Sequence, residues 1–185
     1  MTAETVRSDP GPGESALDAL FHRQKAAFEA ERHRRLDDRK ADLKKIEEMV
    51  KARGEDFAAA IDADFGRRAH AETAIAEAGF TIATAKHARQ HLERWAAPKK
   101  KPVPMTMAPG NAYVRREPKG VVGIVSPWNY PMQLALAPLV AALAAGCRVM
   151  IKPSEFTPRT AELLKAILGE LFSEDHVAVV EGGPD

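Results

Sequence analysis

The amino-acid sequence predicts an α/β fold in which several N-terminal helices precede a parallel β-sheet. Residues 15–98 carry apolar side chains at the three- and four-residue spacings typical of amphipathic helices. Residues 120–185 alternate short apolar runs with helical patterns, in the order strand, helix, strand, helix, strand. Such units with short connections form parallel sheets through right-handed crossovers. The sequence ends after the third apolar strand, so we expect a truncated sheet with an edge that needs covering.

Four helices are predicted before Pro98. Ser15 is a suitable N-cap for the first. The second is expected to end at Gly54 and a shorter third helix at Gly66, because glycine commonly follows a helix C-terminus. The fourth covers residues 72–96, and Pro98 ends it. Its predicted buried stripe consists of Ile75, Ala78, Ile82, Ala85, Ala88, Leu92 and Trp95.

The segments on either side of these helices lack the helical pattern. Residues 1–14 combine acidic residues with a Pro-Gly-Pro run and lack the apolar core of a signal peptide, so we expect a disordered tail. Residues 99–119 are predicted to form a linker and a β-hairpin, with strands at Val103–Met107 and Ala112–Arg116 around Pro109-Gly110-Asn111. Because two strands alone are marginally stable, the hairpin should pair with another subunit or with a later part of the polypeptide.

The predicted sheet begins at Gly120, where VVGIVS is apolar on both sides, as expected for a central parallel strand. RVMIK and HVAVVEGG are the next strands, connected by helices over residues 130–146 and 160–172. The first strand is followed by the polar turn Ser126–Pro131 and the second by Lys152–Glu155. Ligands of open α/β sheets bind at the carboxyl ends of neighbouring strands, so we expect a ligand crevice between these turns.

Composition excludes several classes of protein. The formal net charge is +1 over 185 residues and basic residues are evenly spread, so we expect neither nucleic acid nor an acidic membrane as partner. A single cysteine, Cys147, excludes an internal disulfide framework and favours a reducing, cytoplasmic location. The uncharged stretch Val121–Cys147 is long enough to cross a membrane, but its internal prolines favour a buried strand and helix, so no membrane span is predicted. The histidines show no ligand spacing beyond His87 and His91, and we predict no metal site.

One pair of motifs indicates a family. The dinucleotide-binding pattern G-x-G-x-x-G is absent from the first strand–helix turn, which has SPWNYP instead. GVVGIVSPWNYP followed by AAGCRVMIKPSEFTP resembles the aldehyde dehydrogenase superfamily, and most of all its class-3-like branch with the coniferyl aldehyde dehydrogenases. The resemblance covers residues 15–185 and implies that residues 120–185 are the first half of a Rossmann-like NAD(P)-binding domain. It also implies NAD, or NADP, as cofactor, a small aldehyde as substrate, and a homodimer with residues 99–119 as its oligomerisation arm.

The resemblance assigns roles to the two polar turns. Asn129 is similar to the family's oxyanion-hole asparagine, whose amide donates to the oxygen that becomes negative when a thiolate adds to an aldehyde. Without the family pattern, an Asn before a helix that starts at Tyr130 would be a capping residue. Lys152 and Glu155 would bind the adenine ribose, or, without the pattern, form a surface ion pair; a carboxylate there would repel the 2′-phosphate of NADP. The implied cofactor-binding residues are Ser126, Pro127, Trp128, Asn129, Lys152, Pro153, Ser154 and Glu155.

The remaining catalytic groups are not assigned within this sequence. Cys147 follows an alanine-rich helix, whose negative C-terminal dipole disfavours a thiolate, so we interpret it as structural. By resemblance, the nucleophilic cysteine, the general-base glutamate and a second glycine-rich turn lie after the matched region. We therefore expect the chain alone to be inactive and the whole enzyme to oxidise an aldehyde, of coniferyl-aldehyde type, to the acid. The alternatives are a CoA-acylating or semialdehyde dehydrogenase of the same superfamily, or a non-catalytic truncated product.

Overall fold

The computed structural model describes residues 15–183, and the predicted disordered tail lies outside them. Its helices are α1 (Ala16–Ala30), α2 (Leu36–Phe65), α3 (His70–Glu72), α4 (Phe80–Ala96), α5 (Gln133–Ala145) and α6 (Pro158–Leu171), and a π-helical segment, Thr73–Gly79, joins α3 to α4. Its strands are β1 (Lys99–Lys101), β2 (Ala112–Val114), β3 (Val121–Val125), β4 (Arg148–Lys152) and β5 (Val177–Val179). Among residues 15–183, no helix is both long and apolar enough to cross a membrane.

The strands confirm the predicted α/β class. β3, β4 and β5 form a parallel sheet in that order, and α5 and α6 provide the crossovers between them. β4 is therefore the central strand of the described sheet. β3 was predicted to be central, but among residues 15–183 it pairs with β4 alone. Its last residue, Val125, is accordingly exposed.

The hydrophobic core lies between this sheet and the helical layer. One face of the sheet packs against α5, which contacts β3 and β4, and against α6, which contacts β5, while α2 packs across both of these helices and against α4. Side chains with no measurable exposure include Leu43, Phe57, Ile61, Leu136, Leu139, Val149, Ile151 and Leu164. α1 covers the opposite face, where alternate strand residues such as Gly123 and Met150 line a cleft of about 460 Å³ that reaches Lys152.

α2 is one helix of 30 residues, so the predicted end at Gly54 is wrong. The buried residues Val50 and Phe57 lie on either side of this glycine and continue one apolar face. Glycine within a helix costs about 1 kcal/mol relative to alanine, and the burial of a large aromatic side chain outweighs that cost. The predicted end at Gly66 is confirmed, because this residue has a φ of 76°, in the left-handed region that glycine adopts readily.

The fourth predicted helix is present, but its buried stripe is interrupted. The helical run starts at His70 and contains seven π-helical residues, Thr73–Gly79. A π-turn advances by fewer degrees per residue than an α-turn, so it rotates the residues on one side of it relative to the other. Ile75, predicted to lie on the buried stripe, is 77% exposed, whereas Glu77 is fully buried. The π-helical segment thus directs a carboxylate, and not an isoleucine, into the core.

The predicted hairpin is also present, but its first strand lies earlier than expected. β1 pairs antiparallel with β2, with Lys100 opposite Tyr113. Residues 105–107, predicted as strand, form a 3₁₀-helix instead. Pro102 and Pro104 have no N–H to donate to a strand ladder, so the pairing involves the lysines that precede them.

Candidate functional site

The two polar turns predicted from the sequence lie side by side. β3 ends at Val125 and β4 at Lys152, and these two residues are register partners. The next backbone N–H, that of Ser126, donates to the Lys152 carbonyl oxygen at 3.0 Å. Residues 126–131 and 152–155 therefore leave the same edge of the sheet, where open α/β sheets bind ligands.

The first turn presents two exposed rings and one buried hydroxyl. Pro127 is exposed, and the half-exposed Trp128 ring has its centroid 6.1 Å from that of Phe65. The Ser126 side chain is only 4% exposed, and its Oγ has no hydrogen-bond partner within the described chain. Buried hydroxyls in folded proteins normally have a partner. The Ser126 hydroxyl is therefore available to a ligand or a water molecule at this edge.

Asn129 is exposed and does not cap α5. The helix starts at Gln133, and its first N–H groups bind a different side chain. The Asn129 carbonyl oxygen accepts from Arg68 Nη1 at 3.3 Å, whereas its side-chain amide makes no hydrogen bond to any residue between 15 and 183. The capping role is thus excluded, and a free NH₂ donor remains at the ligand edge.

The residue that caps α5 is Glu77, which was not among the predicted site residues. Its Oε2 accepts from the backbone N–H groups of Met132 and Gln133 at 2.9 and 3.1 Å. The carboxyl group has no measurable exposure, and burial raises its pKa despite these two hydrogen bonds. One signal was present in the sequence, because Glu77 is the sole charged residue between Glu72 and Lys86.

Arg68 connects this buried carboxylate to the first turn. Its guanidinium carbon lies 4.6 Å from the ring centroid of Tyr130 and 5.1 Å from that of Phe65. Its Nη2 is 3.1 Å from a Glu72 oxygen and 3.9 Å from Glu77 Oε1. The local sequence gives no signal for this role, because the Tyr130 ring is distant in the chain.

The second turn carries an ion pair. Lys152 Nζ lies 2.6 Å from Glu155 Oε2, and this contact lowers the pKa of the Glu155 carboxyl. Both side chains are partly exposed, so an ammonium donor and a carboxylate acceptor remain accessible to a diol. Ser154 is buried beside the buried Pro153, and its Oγ accepts from the Phe156 N–H at 3.2 Å. The Ser154 hydroxyl thus stabilises the turn that presents the ion pair.

Neither helix that follows these turns offers its N-terminus to a phosphate group. Asp64, near the end of α2, accepts from the N–H groups of Arg159 and Thr160 at 3.0 and 2.9 Å and so caps α6. Glu77 occupies the start of α5 in the same way. Helix N-termini are the usual phosphate sites of such sheets. The starts of both helices are therefore occupied by protein carboxylates, in agreement with the absent glycine pattern.

Cys147 lies at the opposite end of the sheet from the two polar turns, at the amino ends of β3 and β4. It precedes β4, and the N–H of the next residue, Arg148, donates to the Gly120 carbonyl oxygen. The five residues of β4 place this end about 16 Å from Lys152, at about 3.3 Å per residue. The thiol-bearing side chain is 3% exposed, so it cannot reach a group bound beside Asn129.

The histidine pair on α4 does not form a metal centre. The rings of His87 and His91 stack with their centroids 4.1 Å apart, so their nitrogens do not converge on one point. Within residues 15–183, no group of three or more His, Cys, Asp or Glu side chains is arranged to hold a metal ion.

The fold and the site together define an α/β domain with a ligand-binding edge at the carboxyl ends of its parallel strands. Residues 1–185 match the model of the aldehyde dehydrogenase family. The chain therefore belongs to the aldehyde dehydrogenase family, which confirms the resemblance inferred from the two motifs.

Named relatives place the chain near the coniferyl branch. Proteins described as probable coniferyl aldehyde dehydrogenases are 39% identical over 174 residues in Caulobacter vibrioides and 41% identical over 169 residues in Pseudomonas aeruginosa. A solved structure described as the substrate-bound state of Staphylococcus aureus AldH matches with a TM-score of 0.88 at 35% identity, over 92% of this chain and 37% of that one. The two coniferyl relatives match over 92% and 91% of this chain, which spans 36% of the length of each.

Proposed function

We propose that this chain is the N-terminal part of an NAD(P)-dependent aldehyde dehydrogenase that oxidises an aldehyde to the carboxylic acid. The observation that carries the proposal is the adjacency of the Asn129 turn and the Lys152–Glu155 pair at one sheet edge. Membership of the family supports the same activity. The names of the relatives favour an aromatic aldehyde of coniferyl type as the substrate.

The residues of this edge would hold the cofactor through its riboses. The Lys152 ammonium would donate to the hydroxyl groups of the adenine ribose, and the Glu155 carboxylate would accept from them, on the turn shaped by Pro153 and Ser154. Ser126, Pro127 and Trp128 would line the nicotinamide end, where the unpartnered Ser126 hydroxyl supports a polar contact. When bound, the cofactor supplies the hydride acceptor for the oxidation.

Asn129 would stabilise the oxyanion. When a thiolate adds to the aldehyde carbon, the carbonyl oxygen becomes negatively charged, and a neutral amide donor stabilises it without a change in protonation. The NH₂ group of Asn129 is free for this role within the described structure. The thiolate must come from outside this chain, because Cys147 is its sole cysteine and is buried at the opposite sheet edge.

We further propose that the enzyme is a cytoplasmic homodimer with the β1–β2 hairpin as its arm. Among residues 15–183, β1 and β2 pair only with each other. Met105, Tyr113 and Val114 on this hairpin are exposed. A two-stranded sheet with free edges and exposed apolar side chains favours pairing with a further strand, as a partner subunit would supply. The presence of a single cysteine, Cys147, and its burial support the cytoplasmic location.

Activity measurements on the chain alone and on the complete enzyme test the proposed function. We expect residues 1–185 alone to form no NADH with coniferyl aldehyde or benzaldehyde, because the sole thiol is buried. The complete enzyme, with the remaining family sequence after this chain, should form NADH with these aldehydes. NADH formation by the chain alone contradicts the proposal, as does its absence from the complete enzyme with either cofactor. A strict requirement for CoA would identify the acylating alternative.

Glu155 is expected to discriminate against NADP. The pKa of its carboxyl is lowered by the hydrogen bond from Lys152, so the group is charged at neutral pH and repels a 2′-phosphate. Glu155→Gln in the complete enzyme should lower the KM for NADP by about 5-fold, the order of effect of one exposed charge. Glu162→Gln, which removes an exposed carboxylate on α6, is the matched control. If Glu155→Gln and Glu162→Gln change the KM for NADP equally, the 2′-phosphate does not lie beside Glu155.

A further inference from the structure

We propose that Arg68 and Glu77 are positioning residues that hold Asn129 in place, an inference that rests on the proposed function. They fix the first turn from the side of the helical layer. Arg68 donates to the carbonyl oxygen of Asn129 itself, and Glu77 accepts from the N–H groups of Met132 and Gln133. With the hydrogen bond from Ser126 to β4, the turn is fixed at its start, its middle and its end.

Glu77 does more than cap a helix. A serine or aspartate beside the helix start would satisfy the same N–H groups locally. The chain instead uses a carboxylate 55 and 56 residues away in sequence and buries it completely, at a cost in desolvation. The helix dipole of α5 and the Arg68 guanidinium, 3.9 Å from Glu77 Oε1, offset part of this cost. What the distant carboxylate adds is a rigid connection between the turn and the helical layer.

Arg68 orders both neighbours of Asn129. Its guanidinium is in contact with the rings of Tyr130 and Phe65, and the Phe65 ring in turn contacts Trp128. The side chain is 13% exposed, so these contacts are shielded from water. A planar guanidinium can stack on two rings while it donates to a carbonyl oxygen, and a lysine ammonium cannot. The residues before and after the oxyanion donor are thereby held by one side chain.

Catalysis by an oxyanion donor depends on this placement. A displacement of about 1 Å in a catalytic group can cost about 100-fold in rate even when the substitution is remote from the reacting atoms. In the complete enzyme, Glu77→Ala should lower kcat by about 10- to 100-fold, and Arg68→Lys by about 10-fold. Glu77→Gln should restore kcat to within about 3-fold of wild type, because its amide oxygen can accept from both N–H groups. The KM for NAD should change less than kcat in all three variants.

The Glu47–Arg89 ion pair provides the matched control. It connects α2 to α4 within the same helical layer at 3.2 Å, and its carboxylate is likewise buried. Arg89→Ala should therefore reduce thermal stability and leave kcat unchanged. The proposal is overturned if Arg89→Ala lowers kcat as much as Glu77→Ala does, or if Glu77→Gln is as slow as Glu77→Ala in a folded protein.

A spectroscopic measurement tests the positioning independently of activity. The 185-residue chain contains two tryptophans, so Trp95→Phe in this chain leaves Trp128 as its sole tryptophan and as a reporter on the turn. In that background, Arg68→Lys and Glu77→Ala should shift the Trp128 emission and increase its quenching by acrylamide, whereas Arg89→Ala should not. Unchanged emission in folded variants overturns the positioning role. A shifted emission in the chain, combined with a complete enzyme that oxidises no aldehyde, would support the positioning of the turn and overturn the proposed function instead.

Discussion

Asn129→Ala in the complete enzyme is expected to lower kcat by about 10²- to 10³-fold, the usual effect of removing one oxyanion donor. The structure leaves this amide free of partners within residues 15–183 and places it at the edge where the cofactor would bind. Because the interaction forms only as charge develops on the oxygen, the dissociation constant for NAD should remain nearly unchanged. Steady-state kinetics and a binding titration on the same preparation measure the two quantities.

The fold should tolerate this substitution, because Glu77 caps α5 and only the backbone of Asn129 contacts Arg68. We expect the free energy of unfolding to change by less than about 0.5 kcal/mol. The kcat of Asn129→Asp should be at least as low as that of Asn129→Ala, since a carboxylate repels the oxyanion. Asn111→Ala, in the exposed hairpin turn, is the control of equal size. An unchanged kcat for Asn129→Ala would refute the oxyanion assignment.

The free energy of unfolding is expected to fall steeply below pH 6.5 because of His176. This side chain is 6% exposed, and burial, with the nearby Arg34 and Arg148 charges, lowers its pKa from 6.5 to about 3. Between these two pH values the unfolded chain binds a proton that the folded chain does not, so acid favours unfolding. The loss by pH 4 is on the order of 3 kcal/mol, at about 1.4 kcal/mol per pH unit. This loss of stability is absent above pH 7.

His176→Gln isolates this contribution. The variant loses the edge contact with Phe172, whose ring centroid is 5.4 Å away, and is expected to be less stable at pH 7. Its stability should nevertheless fall less steeply than that of the wild type between pH 6.5 and pH 4 in urea titrations. Asp42, whose pKa is raised by burial and whose Oδ2 lies 3.7 Å from His176 Nε2, is present in both proteins. His70→Gln, at an exposed histidine, should retain the wild-type slope, and parallel slopes for wild type and His176→Gln would contradict the assignment.

Elements with a local pattern were predictable to within a few residues. The strand–helix–strand–helix–strand order, β4 as RVMIK and the end of α2 at Gly66 follow from periodicity and from glycine conformation. Errors arose where a distant contact outweighed the local signal. Gly54 lies inside α2 because the apolar face continues to Phe57, and Ile75 is exposed because of the π-helical segment.

The residues of the candidate site also fall into two groups: those predictable from a local pattern and those fixed by distant contacts. Both polar turns were predictable, since parallel strands must bring their carboxyl ends to one edge. Glu77 and Arg68 were not, because their partners in the turn are more than 50 residues away and no periodicity connects them. The same holds for Asp64, which caps α6 from 95 residues away.

The family, the parallel sheet and the two turns that carry Asn129 and the Lys152–Glu155 pair follow from short motifs and from the period of the apolar side chains. The occupation of the N-termini of α5 and α6 by the carboxylates of Glu77 and Asp64 depends instead on the tertiary structure. Buried donors and charges must find partners wherever the fold brings them. That requirement acts through space, so it cannot be deduced from spacing along the chain.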